Sequence, residues 1–293
     1  MKVQRILLLF VIAITAFACQ QNKQSDDSPI VTVTIPPQKF FVEKIAGELV
    51  SVNIMVPPGI SPEEYEPTPR QIQELSNSVI YFYVGHLGFE KPWMSRFNNS
   101  APDVDYVSNS KGIDLLVSDH HCDENDHTHN HGTDPHIWTS PENVKTMSRT
   151  ISSTLSKHFP ESKALFESNL KVFIDEIDSL DNHIRALLAD STERSFMIFH
   201  PSLGYFARDY HLQQLSVEYE GKTPSTAHMK KIVDTAREKH INTIFVQSQF
   251  ETAQATAIAH EIGATVEMLD PLEEDWISEM YSMADKIKKS LAQ

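Results

Sequence analysis

The chain has 293 residues, enough for about two domains, and its 25 Lys and Arg against 40 Asp and Glu give a formal net charge of −15. Such an acidic protein is a poor ligand for a phosphate backbone, which excludes nucleic acid as a partner. With only Cys19 and Cys122, the chain cannot build a zinc finger or an iron–sulfur cluster from cysteine, so its 14 His are the unusual feature.

The N-terminus is typical of an export signal. Lys2 and Arg5 precede an apolar run that is too short to remain as a membrane-spanning helix, so residues 1–18 are predicted to be a lipoprotein signal peptide. The run ends in Ala-Phe-Ala-Cys, which resembles a bacterial lipobox and predicts cleavage before Cys19 and lipidation of its thiol. The alternative is a plain signal peptide with an incidental cysteine. The polar residues 19–29 are predicted to be a tether, which places the protein on a bacterial membrane, in the periplasm or on the cell surface.

Downstream of the tether, short β-branched runs alternate with helical patterns. This alternation is typical of βαβ units with mostly parallel sheets, and it predicts an N-terminal α/β lobe over residues 30–158. A loop is expected from residue 85 up to the last helix of the lobe. The predicted strands are 31–35, 50–56 and 79–84, and the predicted helices are 39–49, 70–76 and 141–158.

A long helical pattern begins after Pro160. Apolar residues recur at helical spacing between Leu165 and Leu187, which predicts a helix over residues 161–189. At 1.5 Å per residue such a helix would be about 43 Å long, enough to run the length of a two-domain protein. We therefore expect residues 159–190 to be a rigid linker helix.

The alternation of strands and helices then restarts and predicts a C-terminal α/β lobe over residues 191–293. The predicted fold class is thus α/β, with two Rossmann-like lobes of mostly parallel strands joined by one long helix. Ligands of open parallel sheets bind beyond the carboxyl ends of the strands, so functional residues are expected just after strands. The predicted strands are 196–199, 215–219, 241–247 and 264–269. The predicted helices begin near residues 203, 226 and 251, and a last helix runs to the C-terminus.

One loop of the N-terminal lobe is rich in potential metal ligands. Residues 118–134 read SDHHCDENDHTHNHGTD and hold five His and five acids. Neutral imidazoles interleaved with carboxylates are good ligands for first-row transition metals. The alternative is a solvated acidic loop whose histidines have no function. We predict a secondary metal-binding loop, with His120, His121, His127, His129 and His131 as its ligands.

Other potential ligands lie where a parallel fold would bring them together. His136 sits between a proline and a tryptophan, His200 ends an apolar strand, and Asp270 follows the last strand. The acidic loop at residues 57–69 is stiffened by prolines and could place one carboxylate accurately. A single His or Asp at a strand end is more often a cap or a surface residue. Three such positions spread over both lobes favour a shared site.

At these positions the chain resembles the cluster A-I solute-binding lipoproteins of bacterial zinc and manganese ABC transporters. The resemblance lies in PPGISPEEYEPTP at 57–69, DPHIW at 134–138, HPSLGYFARDY at 200–210 with TPS at 223–225, and LDPL at 269–272. A His-rich loop before the DPHIW run is typical of the zinc-specific members. The resemblance implies two α/β lobes joined by one long helix, with the metal between them.

The resemblance also implies the metal ligands: His136, His200, Asp270 and one residue of the first loop. The family usually reads Ser-Pro-His there, whereas this chain reads Ser-Pro-Glu, so Glu63 stands where an imidazole is expected and Glu64 is its rival. Two nitrogens and two carboxylates suit Zn²⁺, but they also move the preference toward Mn²⁺ and Fe²⁺. Because of the His-rich loop we expect zinc, with manganese or iron as the alternative.

The function implied is high-affinity extracytoplasmic metal binding by a monomer that delivers its ion to an ABC-transporter permease. Enzyme motifs do not support the alternative of a zinc-dependent hydrolase, because His260-Glu261 lacks the second His of HExxH and no GxSxG turn is present. A closed four-ligand site also leaves a catalytic water no open position. A metal-storing or adhesive lipoprotein is a further alternative of another class.

Overall fold

The computed structural model describes residues 28–117, 132–218, 226–250 and 252–292. The predicted signal peptide, the predicted lipidation site Cys19 and the five histidines of the predicted secondary metal loop lie outside these residues. The described chain contains two four-stranded parallel sheets, flanked by helices. The predicted α/β fold class is therefore confirmed.

The first sheet has the strand order β2-β1-β3-β4, and all of its strands are parallel. Its central strands are buried on both faces, since the consecutive residues 31–33 of β1 and 80–82 of β3 are at most 2% exposed. Continuous apolar runs of this kind are typical of parallel strands that are covered by helices on both sides. The strands are β1 Ile30–Val33, β2 Ser51–Ile54, β3 Ser78–Tyr83 and β4 Asp105–Ser108.

Four helices accompany this sheet, and several of their N-termini are encoded locally. Proline occupies the first turn of three of them, where its missing N–H costs no hydrogen bond. The side chains of Thr68 and Ser140 cap two of these helices by accepting bonds from the backbone N–H groups of Gln71 and Asn143. The helices are α1 Pro36–Ala46, α2 Pro69–Ser76, α3 Glu90–Ser100 and α4 Pro141–His158.

The predicted loop from residue 85 to the start of α4 is wrong in part, because it contains α3 and β4. In α3 the buried residues are Glu90 and Phe97, so its apolar pattern is weak. Strand β4 is only four residues long, and it forms by pairing with β3. Tertiary contacts, which local spacing does not encode, decide the structure of both elements.

The second sheet repeats the topology of the first. Its order is β6-β5-β7-β8, again all parallel, so the first strand of each half lies between the second and the third. In such a sheet the crevice for ligands opens beyond the carboxyl ends of the central strands. The strands are β5 Ser195–Ile198, β6 Gln213–Ser216, β7 Thr243–Gln247 and β8 Thr265–Leu269, and the helices are α6 Gly204–Asp209, α7 Thr226–Glu238, α8 Ala253–Ile262 and α9 Trp276–Leu291.

The long helix is α5, which runs over Lys163–Leu188 after a single turn of 3₁₀-helix at Pro160–Ser162. Its 26 residues measure about 39 Å at 1.5 Å per residue. It packs against α1 and α4 of the first half and against α9 of the second. The predicted long helix is therefore present, and it packs against helices of both halves.

Two hydrophobic cores divide the molecule unequally. The larger core joins the first sheet, α5, Trp276 of α9 and one face of the second sheet, to which Phe196 and Phe245 belong. The smaller core lies on the other face of the second sheet and contains Met197 and Ile244. One side of the second half is thus continuous with the first half, whereas its other side packs only with its own helices.

Candidate metal centre

Three of the four predicted ligands converge at the carboxyl ends of the sheets. One ligand atom each from Glu63, His136 and His200 lies within 4.8 Å of the others. His136 Nε2 is 3.5 Å from Glu63 Oε1 and 3.3 Å from His200 Nε2. Two ligand atoms about 2.05 Å from a tetrahedral zinc ion lie about 3.3 Å apart, so both distances from His136 Nε2 suit neighbouring ligands of one such ion.

His136 is held in one orientation by Asp134. The carboxylate Oδ1 of Asp134 accepts a bond from the backbone N–H of His136 at 2.9 Å and lies 2.8 Å from its Nδ1. His136 is only 6% exposed, and its ring centroid lies 5.4 Å from that of Trp138. Because Nδ1–H donates to the carboxylate, the lone pair of Nε2 faces the site, as in a metal-binding histidine.

The charge around His136 also favours a cation. Burial by itself lowers the pKa of the imidazole, but the hydrogen bond and the charge of Asp134 raise it. The charges of Glu63 and Glu218 add to this effect, and the pKa of His136 is raised overall. The same carboxylates that stabilise an imidazolium would stabilise a bound metal ion.

His200 has the same arrangement on the opposite side of the site. Its Nδ1 lies 2.6 Å from Glu218 Oε2, and its ring stacks on Phe250 with the centroids 4.8 Å apart. The Nε2 of Gln247 donates to the backbone carbonyl of His200 at 2.6 Å. Sequence reasoning missed Glu218, although its position two residues after β6, at the same sheet edge as His200, was an available signal.

Glu63 reaches the site from the proline-stiffened loop after β2. Its Oε1 is buried and has no hydrogen-bond partner among the described residues, as expected of an atom that is positioned for an ion. A Cβ on Gly88 would lie 2.4 Å from the carbonyl oxygen of Glu63, so a glycine is needed for this close approach. Its predicted rival Glu64 is exposed and is not part of the converging group.

Asp270 is the predicted ligand that this structure does not bring into the group. Its Oδ2 accepts from Ser248 Oγ at 2.5 Å, and its Oδ1 accepts from Gln249 Nε2 at 2.9 Å and from the backbone N–H of Leu272 at 3.1 Å. The bonds from Ser248 and Gln249 hold the carboxylate on the β7–α8 loop, and sequence reasoning could not foresee them because they depend on that loop's conformation.

The converging atoms face a small cavity of about 20 Å³, comparable to the space that one water molecule needs. Its lining includes Glu63, His136, His200, Gln249 and Phe250. Asp270 is not among the described residues that line the cavity. A cavity of this size suits a single ion and leaves little room for an organic substrate.

Two tryptophans join the two halves beside the site. The indole Nε1 of Trp138 donates to the carbonyl of Pro271, and that of Trp276 donates to the carbonyl of Trp138, both at 2.8 Å. Both rings are buried. Since Trp138 follows His136 by two residues and Pro271 follows Asp270, these bonds fix the distance between the two ligand-bearing loops.

The two ends of the His-rich loop are fastened at the same place. Val117 and Thr133 form an antiparallel bridge, and the N–H of Asp134 donates to the carbonyl of Leu116 at 2.9 Å. The hydroxyl of Tyr205, from the other half, donates to the Asp134 carbonyl and accepts from the Leu116 N–H. The loop therefore ends two residues before His136, and the residues just before its start are held beside its end.

Residues 31–290 match the family model described as ZnuA, zinc-uptake complex component A, periplasmic. The chain belongs to this family. Members of the family are solute-binding components of transport systems, so the resemblance inferred from the four motifs is confirmed. In the described part of the chain, none of the helices has the length and apolarity that crossing a bilayer requires.

Curated relatives and solved structures agree with the family match. The chain is 27% identical over 282 residues to the zinc-binding lipoprotein AdcA of Streptococcus pneumoniae R6, covering 93% of this chain but 56% of AdcA, so it spans about half the length of that relative. It is 29% identical to the high-affinity zinc uptake system protein ZnuA of Bacillus subtilis, covering 90% of this chain and 88% of ZnuA. A solved ZnuA structure superposes with a TM-score of 0.85 at 39% identity, covering 91% of this chain and all of the other.

Proposed function

We propose that this ZnuA-family protein captures a divalent transition metal, zinc first, outside the cytoplasm and delivers it to an ABC-transporter permease. The observation that carries the proposal is the convergence of Glu63, His136 and His200. Two imidazole nitrogens and a carboxylate oxygen without a hydrogen-bond partner face one small cavity. The metal is the cargo of the protein, and Asp270 is proposed to complete the ligand set.

The ligand chemistry supports capture. Each imidazole is held by a carboxylate on its far side, which raises its basicity and fixes its direction before an ion arrives. With Glu63 and Asp270 both ionised, a site holding Zn²⁺ would be formally neutral. A closed, charge-matched site of this kind holds an ion tightly without activating a water molecule on it.

Glu63 favours Mn²⁺ or Fe²⁺ as an alternative cargo. Glu63 supplies an oxygen where the family usually has an imidazole nitrogen, and oxygen ligands suit Mn²⁺ and Fe²⁺ better than nitrogen ligands do. Competition of Mn²⁺ and Fe²⁺ against a zinc-loaded chromophoric chelator should rank the three ions. We expect Zn²⁺ to bind tightest, in line with the general order of affinities, and a tighter Mn²⁺ would make manganese the cargo.

Calorimetry with zinc tests the site directly. The mature protein should bind one zinc ion tightly, and His200→Ala should abolish that tight phase. His260→Ala is the matched control, because His260 is an exposed residue of α8 in the same half, and it should leave the isotherm unchanged. An unchanged isotherm for His200→Ala would overturn the proposed site.

We also propose that the predicted His-rich loop gathers metal weakly and that Cys19 carries the lipid anchor of a monomer. Deletion of residues 119–131 should lower the total zinc stoichiometry and spare the tight site.

Cys19→Ser should release the protein from the membrane fraction of cells. Zinc uptake at low external zinc should fall in cells without the protein and be restored by the wild type, but not by His200→Ala.

A further inference from the structure

Gln249 lies between the cavity and Asp270, the predicted ligand that does not line the cavity. Its side chain lines the cavity with Glu63, His136 and His200. Its Nε2 donates to Asp270 Oδ1 at 2.9 Å and to Ser248 Oγ at 2.8 Å. Both hydrogens of the amide are thus used, which fixes the direction of the Gln249 side chain.

Three hydrogen bonds hold the carboxylate of Asp270 in a position where it does not line the cavity. Its two oxygens already accept from Ser248, Gln249 and the N–H of Leu272, and bonds of this kind to an ionised carboxylate are among the stronger hydrogen bonds in proteins. An ion would need at least one oxygen turned toward the cavity. Gln249 and Leu272 both line the cavity, and of these two donors only Gln249 donates from a side chain, which can turn away without moving the backbone.

We propose that Gln249 is a positioning residue that sets the affinity of the metal site. Its hydrogen bond keeps the carboxylate of Asp270 out of the cavity until a metal ion binds. A bound divalent metal takes Oδ1 of Asp270 away from Gln249, and the carboxylate becomes the fourth ligand. Ser248 can stay on Oδ2 during this exchange, because its hydroxyl rotates freely and contacts the other oxygen. This inference rests on the proposed function of the site.

The exchange suits a protein that must both capture and release its cargo. The bond between Gln249 and Asp270 has to break when the ion binds, which weakens binding. The same bond re-forms when the ion leaves, which lowers the cost of giving the ion to a permease. The three-ligand group of Glu63, His136 and His200 would then be the part of the site that is ready before the ion arrives.

Zinc affinity of the full mature chain tests this inference, measured by competition with a chromophoric chelator. A hydrogen bond to a charged group contributes about 1.5–3 kcal/mol, which corresponds to roughly 10- to 100-fold in a dissociation constant. Gln249→Leu should therefore tighten zinc binding by about tenfold or more and slow zinc dissociation. Gln249→Met keeps the side-chain length without the donor and should act in the same direction.

A double-mutant cycle separates this role from a general effect on the loop. Asp270→Ala alone should weaken binding, and in that background Gln249→Leu should have no further effect. Gln213→Leu is the matched control, because Gln213 is an exposed residue of β6 in the same half that does not line the cavity. An unchanged or weaker affinity for Gln249→Leu, or the same tightening without Asp270, would overturn the inference.

The two proposals fail in different ways. If the wild type binds no zinc tightly, or if His200→Ala binds as well as the wild type, the proposed function fails. If both of those results are as expected and Gln249→Leu does not tighten binding, only the role of Gln249 fails.

Discussion

The two sides of the metal centre are built differently, although the two sheets have the same strand order. On the first side, His136 and its partner Asp134 are buried and tied to the larger core through Trp138. On the second side, His200 and Asp270 are partly exposed, and they lie on loops of the sheet that also packs against the smaller core. This comparison supports the proposal that the first side is preformed and that ligand exchange takes place on the second.

The strongest test of this asymmetry removes the ligand of the rigid side. Structural zinc sites release about 10–16 kcal/mol through four ligands, so one ligand is worth roughly 100- to 1,000-fold in affinity. His136→Ala should lose about that much zinc affinity and leave the buried Asp134 without the imidazole that it contacts, although the backbone N–H of residue 136 remains. Its thermal unfolding temperature without metal should also fall, whereas His200→Ala should unfold close to the wild-type temperature. Equal melting temperatures of the two variants would contradict the asymmetry.

The carboxylates behind the two histidines allow a finer comparison. Loss of such a partner typically costs 10- to 100-fold in metal affinity. The loss of zinc affinity in Asp134→Asn should be about 100-fold, because Asp134 bonds both the ring and the backbone of His136. The loss in Glu218→Gln should be about tenfold, because Glu218 bonds the ring of His200 alone among these groups.

The matched control for both carboxylates is Asp105→Asn. Asp105 pairs with His158 at 2.9 Å on the exposed surface, at the opposite edge of the first sheet. This variant should bind zinc as the wild type does. A larger loss for Glu218→Gln than for Asp134→Asn, measured by chelator competition, would reverse the assignment of the rigid side.

Gly88→Ala tests whether the Glu63 loop is also preformed. The added Cβ would lie 2.4 Å from the backbone oxygen of Glu63, so the loop would have to shift. We expect zinc affinity to fall by roughly tenfold, comparable to the loss of an outer-shell partner. In a Glu63→Ala background the same change should have little further effect, and an equal loss there would show that Gly88 acts elsewhere.

The smallest expected effect concerns the pH dependence of stability on the rigid side. Glu90 accepts bonds from the backbone N–H groups of Val84 and Gly85, just before Gly88. Burial raises the pKa of Glu90 from 4.5 to about 7, so the folded protein holds a proton that the unfolded chain has released. The raised pKa of Glu90 therefore adds to the free energy of unfolding below about pH 4.5, and this contribution is lost as the pH rises through about 7.

Glu90→Gln should therefore flatten the decline in the free energy of unfolding between these pH values. Urea unfolding at several pH values measures the difference. Glu261→Gln, at an exposed residue of α8, is the control and should keep the wild-type slope. A wild-type slope in Glu90→Gln would show that another group causes the decline.

Part of this site could be predicted from the sequence and part could not. His136 is a candidate because it sits between a proline and a tryptophan, and His200 because it ends an apolar strand. The proline-rich loop predicts one carboxylate, and the family resemblance implies Glu63, with Glu64 as its rival. Glu218, Gln249 and the glycine at position 88 depend on which loops the folded sheets bring together. Local spacing carries no record of those contacts, which is also why α3 and β4 were missed.

The linker helix could likewise be predicted only in part. Helix α5 could be predicted because apolar residues recur over seven turns, and each turn repeats the same signal. The shared core that it forms with α1 and α9 could not, since no local pattern states which helices face each other. The bonds of Asp270 to Ser248 and Gln249 are a similar case on the scale of side chains.

X-ray absorption at the zinc edge of protein loaded with one equivalent of zinc tests the central claim most directly. The account predicts a first shell of nitrogen and oxygen only, with the scattering of two imidazoles, His136 and His200, and the remainder from carboxylates. Three or more imidazoles, or a sulfur ligand, would place the tightest ion in the His-rich segment and contradict the account.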